Sequence, residues 1–228
     1  MGVLPELLIA CQNGTTTSAV GRPTLTATRH PLPPTETDWA TLASQLNGSL
    51  IRPGHAQYAT AHQLFDPRYD SIQPAAIAYC ASAKDVQNCL AFVRNFALPV
   101  APRAGGHSYA GYSTTTGLLI DVTRMNEITT DVTSGTALIG AGARLIDVYA
   151  RLAQDNLVLP AGSCPTVGIT GLTLGGGIGV LGRKFGLTCD NMLSAQVVTA
   201  DGRLLICNTQ HYADLFWTLR GGGGGNFG

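Results

Sequence analysis

Apolar residues recur at three- and four-residue intervals in several stretches of the chain, and each stretch predicts a helix with one buried face. Trp39, Leu42, Ala43 and Leu46 fall on one such face, in a helix that starts at Thr37, takes Asp38 as its cap and stops at Asn47-Gly48. Val86, Cys89, Leu90, Val93 and Ala97 make a second face, opened by the capping-box pattern of Ser82 and Asp85. Leu145, Val148, Tyr149 and Leu152 make a third, closed near Asn156, and a short amphipathic helix follows over 214–220. Continuous apolar runs predict buried strands at 77–80, 118–122 and 137–140, and the prolines of 99–102 predict an extended segment. Residues 195–199 and 203–207 predict a hairpin turning at Asp201-Gly202. The order is strand, helix, strand, then hairpins. That is a mixed α+β pattern rather than a strict βαβ alternation.

Before the first helix, residues 12–36 are rich in Thr, Pro, Gly and Ala without any period, the composition of a flexible arm. The expected organisation is a leader or arm over 1–36, an N-terminal helical segment over 37–70 and the main domain over 71–228. Leu8-Ile-Ala-Cys11 resembles the tail of a bacterial lipoprotein signal, although the basic region that should precede it is missing. With six cysteines, this points to a location outside the cytoplasm, secreted or lipid-anchored, because disulfides persist in oxidising compartments. Cys80 with Cys89, and Cys189 with Cys207, are open possibilities for pairing; the connectivity does not follow from sequence. No two cysteines stand in a Cys-x-x-Cys pair, so a zinc ribbon lacks its spacing and no metal site is expected.

Charge changes this picture in one respect. Charged residues make up only 12% of the chain, about half the usual quarter. The surface is therefore polar by other means, or partly covered by something else. Lys+Arg and Asp+Glu both number 14, which gives no long-range attraction for nucleic acid or an anionic membrane. Residues 156–182 carry no charge and are long enough to span a bilayer, but Pro160, Pro165 and repeated glycines break them. A packed loop is expected there, and no membrane span.

Two segments carry the candidate chemistry. Residues 102–112 read Pro-Arg-Ala-Gly-Gly-His-Ser-Tyr-Ala-Gly-Tyr and hold His107; residues 163–186 begin Ser-Cys-Pro-Thr-Val-Gly and hold Cys164. Glycine lets backbone approach a ligand closely and turn where other residues cannot. Consecutive small residues aim several N–H groups into one concavity, which suits a pyrophosphate. A ring nitrogen and a thiol beside such loops can hold a large phosphate-bearing cofactor and bond to it. Gly177-Ile-Gly-Val-Leu-Gly182 also fits the G-x-G-x-x-G pattern of dinucleotide folds, with Asp201 near the expected acid, but its preceding segment is a poor strand.

From about Pro74 to Gly228 the chain resembles the berberine-bridge-enzyme-like flavoproteins of the vanillyl-alcohol-oxidase superfamily. The likeness rests on Gly105-Gly-His-Ser108, Cys164-Pro-Thr-Val-Gly168, Gly175-Gly-Gly-Ile-Gly179, Arg183-Lys-Phe-Gly186, Asp190-Asn191 and Asp214-Leu-Phe-Trp217. The resemblance implies a PCMH-type FAD-binding domain of two α/β subdomains, lacking the substrate domain. It implies FAD bonded twice, His107 to the 8α-methyl and Cys164 to carbon 6. Arg103, Ala104, Gly105, Gly106, His107 and Ser108 would contact the pyrophosphate. Thr166, Val167, Gly168, Gly171 and Gly179 would line the rest of the cofactor, with Val167 near the edge where oxygen approaches. The implied reaction moves a hydride from an alcohol, sugar or secondary metabolite to FAD, with molecular oxygen as electron acceptor. The catalytic base is expected beyond Gly228, in a C-terminal half that could be a separate chain. Two other readings are a non-catalytic flavin-binding module and an NAD(P)-linked reductase built on Gly177–Gly182.

Overall fold

The computed structural model describes residues 32–228. The arm up to residue 31 and Cys11 within it lie outside the described residues. The first helix, α1 (Glu36–Ser44), starts one residue earlier than its apolar face suggests. Thr35 is the cap. Its Oγ1 accepts from the Asp38 amide at 3.3 Å, while its own amide and hydroxyl donate to the Asp38 carboxylate at 2.8 and 2.6 Å. Asp38 is therefore the N3 partner of a capping box, in the first turn of the helix, rather than the cap itself.

The sheet that follows contains β1 (Ser49–Ile51), β2 (Ala76–Tyr79), β3 (Val100–Arg103) and β4 (Leu118–Asp121), in the order β1-β2-β4-β3. β2, β4 and β3 run parallel, and β1 pairs antiparallel with β2. β1 lies within 37–70, so that segment shares a sheet with the strands after residue 71. The helix α2 (Tyr58–Ala61) and a 3₁₀ turn (Pro67–Tyr69) come between β1 and β2, and α3 (Ala83–Phe96) carries the chain from β2 to β3. Every residue of β4 is buried, as a strand covered on both faces requires. On one face α1 and α3 contribute Trp39, Leu42, Cys89 and Val93 to a core with Ala78, Leu118 and Ile120. On the other, Tyr58 and Ala61 of α2 pack on Ile77, Ala101 and Leu119.

One buried carboxylate ties this layer together. Asp85, in the first turn of α3, accepts from the amides of Asn47 and Gly48 at 3.0 Å and of Ala81 at 2.9 Å. It also accepts from the Ser82 hydroxyl at 3.0 Å. Burial alone would raise its pKa, but these four donors outweigh it and hold the carboxyl below the usual carboxylate range. The predicted Ser82–Asp85 capping pattern is thus present, with Asp85 also reaching back to the turn after α1.

The second half opens with a hairpin, β5 (Ile128–Asp131) and β6 (Thr136–Ile139). β5 was not legible from the pattern, because Ile-Thr-Thr-Asp has a single aliphatic side chain. Next come α4 (Leu145–Gln154), α5 (Ile169–Leu174), α6 (Gly182–Phe185) and a 3₁₀ turn (Thr188–Asn191). The predicted hairpin, β7 (Ser194–Val198) and β8 (Leu204–Asn208), follows with Gly202 at φ +85°, and α7 (Ala213–Thr218) packs Phe216 against Val197, Leu205 and Cys207. Leu145, Val148 and Leu152 of α4 pack on Ala143, Ala161 and Ile169.

The charge-free stretch 156–182 folds as loops around the six residues of α5. Among the described residues no helix is long and apolar enough to cross a membrane. Gly177–Gly182 lies between α5 and α6, not between a strand and a long helix, so the dinucleotide-fold pattern lacks its structural setting. Cys80, Cys89, Cys164, Cys189 and Cys207 are all unpaired thiols. Cys80 and Cys89 come closest, with sulfurs 4.0 Å apart and no bond between them.

Candidate cofactor site

β3 and β4 end side by side, with Arg103 opposite Asp121 in register. Their side chains form an ion pair at 2.5 Å, in which Arg103 is 6% and Asp121 2% exposed. Arg103 Nη2 donates to the Ala61 carbonyl at 2.8 Å, while Nη1 is buried without a partner. Asp121 Oδ1 accepts from the Thr123 amide at 2.9 Å. Above them opens a cleft of about 650 Å³, lined by Gln57, Tyr79, Gly105, Arg124 and Arg144 among others. It sits at the carboxyl ends of the parallel strands, where open α/β sheets bind ligands. Arg103, Arg124 and Arg144 face it with Asp121 as the only carboxylate among the described residues that line it, so the cleft favours an anion.

β3 runs directly into the first glycine loop. Gly106 sits at φ +70°, the left-handed region that a side chain resists. Gly105 has no room for a Cβ, which would overlap the Gly168 nitrogen and lie 2.8 Å from the Thr166 carbonyl oxygen. Gly168 is equally crowded, since a Cβ there would stand 2.9 Å from that of Ala104. The two glycine segments, distant in sequence, therefore meet backbone to backbone. Phe65 fixes the first loop from the other side. Its amide donates to the Gly106 carbonyl at 3.2 Å, and its ring stacks on His107 with centroids 4.0 Å apart and planes at 21°. Ser108 Oγ accepts from the Tyr112 amide at 3.1 Å and thereby shapes the turn that follows.

Cys164 starts a turn closed by the Val167 amide donating to the Cys164 carbonyl at 3.3 Å. The turn rests on the N-terminus of α4, whose first amides have no partner within the helix. Leu145 donates to the Val167 carbonyl and Ile146 to the Pro165 carbonyl, both at 3.0 Å. Val167 is half-buried in this position. Thr166 projects between the two predicted nucleophiles, its Oγ1 2.8 Å from His107 Nε2 and 3.8 Å from Cys164 Sγ. Burial and the nearby Arg144 guanidinium hold the His107 imidazole below the ordinary histidine range, so it is neutral at pH 7.

Most of the predicted residues come together here. Arg103 to His107, Cys164, Thr166, Val167 and Gly168 share one locality, although the Arg103 side chain is largely engaged by Asp121 and Ala61. Gly171 lies on α5 with open space beside it, and Gly179 packs against the Ala161 carbonyl, where a Cβ would overlap it. Sequence reasoning missed Phe65, Asp121 and Arg144. Phe65 and Asp121 stand outside the glycine-rich segments and Arg144 just after Gly140-Ala-Gly-Ala143, and only the fold brings them to the cleft. A nucleotide cofactor fits what is present: an electropositive cleft, a buried Arg103 Nη1 lacking a partner, a backbone cradle without side chains, and two nucleophiles flanking one hydroxyl.

The model of the FAD binding domain family matches residues 74–208. This chain belongs to that FAD-binding family. It is 44% identical over 193 residues to the FAD-linked oxidoreductase YgaK of Bacillus subtilis, a match covering 81% of this chain and 42% of YgaK. The structure of glucooligosaccharide oxidase from Acremonium strictum, described with a 6-S-cysteinyl, 8α-N1-histidyl FAD, superposes with a TM-score of 0.75 at 34% identity. That match covers 82% of this chain and 39% of the oxidase. Two variants of Phl p 4 are also similar. One, a glucose dehydrogenase, has a TM-score of 0.74 at 27% identity over 82% of this chain and 40% of its own. The other, which carries a further isoleucine-to-valine replacement and is a glucose oxidase, has a TM-score of 0.71 at 29% identity over 77% and 38%. The FAD-binding chain thus spans about two fifths of the length of the relatives it matches, which are FAD-linked oxidoreductases.

Proposed function

We propose that this chain holds FAD by two covalent bonds, through His107 and Cys164, and forms the cofactor-binding part of an oxidase. The observation that carries the reading is the convergence of both nucleophiles on Thr166 Oγ1. Carbon 6 and the carbon that bears the 8α-methyl belong to the same six-membered ring, so tethers to both positions must come from side chains a few ångströms apart. Each bond replaces one hydrogen of the ring system and the N–H or S–H hydrogen of the side chain. That is a two-electron oxidation, with oxygen as acceptor and hydrogen peroxide as product. The doubly attached FAD in the oxidase from Acremonium strictum supports the assignment.

Bound FAD supplies the hydride acceptor and returns the electrons to oxygen. The chain's own residues do the rest of the work. His107 and Cys164 fix the ring's orientation from two points. The backbone of 104–107 offers N–H groups to the pyrophosphate, and Arg144 and Arg124 add positive charge around the cleft. The substrate class is an alcohol, sugar or secondary metabolite that gives up a hydride. Oxygen as acceptor is supported by Val167, a small side chain beside Cys164, and by the Phl p 4 pair, in which a change to valine accompanies oxidase activity. The test is to purify the complete protein, including whatever follows Gly228, and follow flavin bleaching under anaerobic conditions with a panel of sugars and alcohols, then admit air and measure hydrogen peroxide. Bleaching followed by stoichiometric peroxide supports the reading. Flavin that no member of the panel reduces, or that air does not reoxidise, contradicts the oxidase assignment.

A further inference from the structure

Thr166 stands between the two nucleophiles without being one. Its Oγ1 lies against Nε2 of His107, at 2.8 Å, so that nitrogen is closed to a ligand. Nδ1 has no hydrogen-bond partner among the described residues and is left to react. A neutral imidazole carries one proton, and a free lone pair on Nδ1 requires that proton to be on Nε2. Nε2 then donates to Thr166. The threonine hydroxyl has one proton of its own, and its other polar neighbour is the Cys164 sulfur at 3.8 Å. The reactive form of that sulfur is the thiolate, which a hydroxyl donor stabilises.

We propose that Thr166 is the positioning residue for both attachments, accepting the Nε2 proton of His107 to free Nδ1 and donating its own proton toward Cys164. The inference rests on the covalent reading above and deepens it. The hydroxyl is well placed for the task because its backbone does not drift. The carbonyls on either side of Thr166 are bonded to the first amides of α4, and Phe65 holds the imidazole by one face. When Nδ1 forms its bond, the imidazole would be left with a positive charge. Its Nε2 proton passes to Thr166, and the threonine proton passes on to solvent, so the ring ends neutral. The ring-system hydrogen and the imidazole proton are the two hydrogens that leave, and oxygen takes them with two electrons as hydrogen peroxide.

The experiment uses the full chain produced under flavin limitation and then given FAD. Attachment at each site is followed by peptide mass, and non-covalent binding by quenching of flavin fluorescence. Thr166→Val keeps the shape and removes the hydroxyl, whereas Thr166→Ser keeps the hydroxyl. Thr166→Val is expected to bind FAD but to form the His107 bond at least about tenfold more slowly, the scale of losing a hydrogen bond to a group that becomes charged. Thr166→Ser is expected to restore the rate, which a purely packing role for the threonine would not do. If Thr166→Val binds no FAD, the serine variant decides: wild-type attachment supports the proposal, and failure like that of valine overturns it. Both bonds forming in Thr166→Val at the wild-type rate overturns the role of Thr166 alone. Wild-type protein that binds FAD and forms neither bond overturns the covalent reading with it.

Discussion

Gly105 and Gly168 touch through their backbones, and this contact sets the separation between the His107 loop and the Cys164 turn. A single methyl at either position forces the two segments apart, because the atoms it meets are largely backbone and cannot rotate away. Gly105→Ala is expected to lose about 1–3 kcal/mol of stability, the usual cost of overpacking. It should also lose attachment at His107 and Cys164 together, as should Gly168→Ala. Denaturant unfolding and flavin absorbance of the purified variants check this; full attachment in both variants would mean that the contact does not set the site.

Gly106 is constrained by conformation rather than by space. At φ +70° a Cβ would have its nearest neighbours, Leu64 and Arg103, at 3.5 and 3.6 Å, which is ordinary contact. Gly106→Val is therefore expected to fail on the left-handed backbone, which costs an ordinary side chain about 1–2 kcal/mol and a β-branched one more. Gly106→Asn should load more flavin than Gly106→Val, because asparagine tolerates that region. Equal flavin content in the two variants would show that the loop adapts.

Asp85 gives the fold a pH dependence far from the site. Its carboxyl is held below its unfolded value of about 3.9, so the stability it adds is fully present above that pH. That stability is lost as the pH falls through the lower, folded pKa. Asp85→Asn places an amide donor against backbone donors and is expected to cost at least about 2 kcal/mol near neutrality. The difference between wild type and variant should shrink below pH 3.9. Urea unfolding across the acid range measures it, and a constant difference down to the lowest pH would contradict this role for Asp85.

The parts that were legible in the sequence are those where one side chain or one period decides. The apolar spacing in α3 and α4 and the Asp201-Gly202 turn of the β7–β8 hairpin are found in the structure. The two loops were marked in the sequence by Gly105-Gly106 before His107 and by Gly162 and Gly168 around Cys164, and the structure brings them together. What was not legible depends on partners distant in sequence. β5 exists because β6 pairs with it, and β1 because β2 does. Phe65 reaches His107 from a segment without glycine, and Asp121 occupies Arg103 because β3 and β4 are in register. No spacing rule reveals a contact made across a parallel sheet.

Val167 gives a prediction that concerns oxygen alone. Its carbonyl is held by Leu145, and its side chain lies half-buried against the edge of the core formed by Ala143, Leu145, Val148 and Ile169. Val167→Leu in the complete protein is expected to slow reoxidation by oxygen at least about tenfold, equivalent to roughly 1.4 kcal/mol on the barrier. Reduction by substrate and reoxidation by an artificial dye should stay near wild type. Stopped-flow traces of the three steps separate them; equal losses in all three would mean that Val167 packs the site and gates nothing.

The central claim, that His107 and Cys164 both bond to FAD, is tested most directly by the intact mass of the denatured protein. The wild-type chain is expected to carry the mass of one FAD less the hydrogens lost in two bonds. His107→Ala and Cys164→Ala should each keep FAD through the remaining bond, and the double variant should show the bare polypeptide. A wild-type chain that appears at its bare mass, with all its flavin released into the solvent, would contradict the claim.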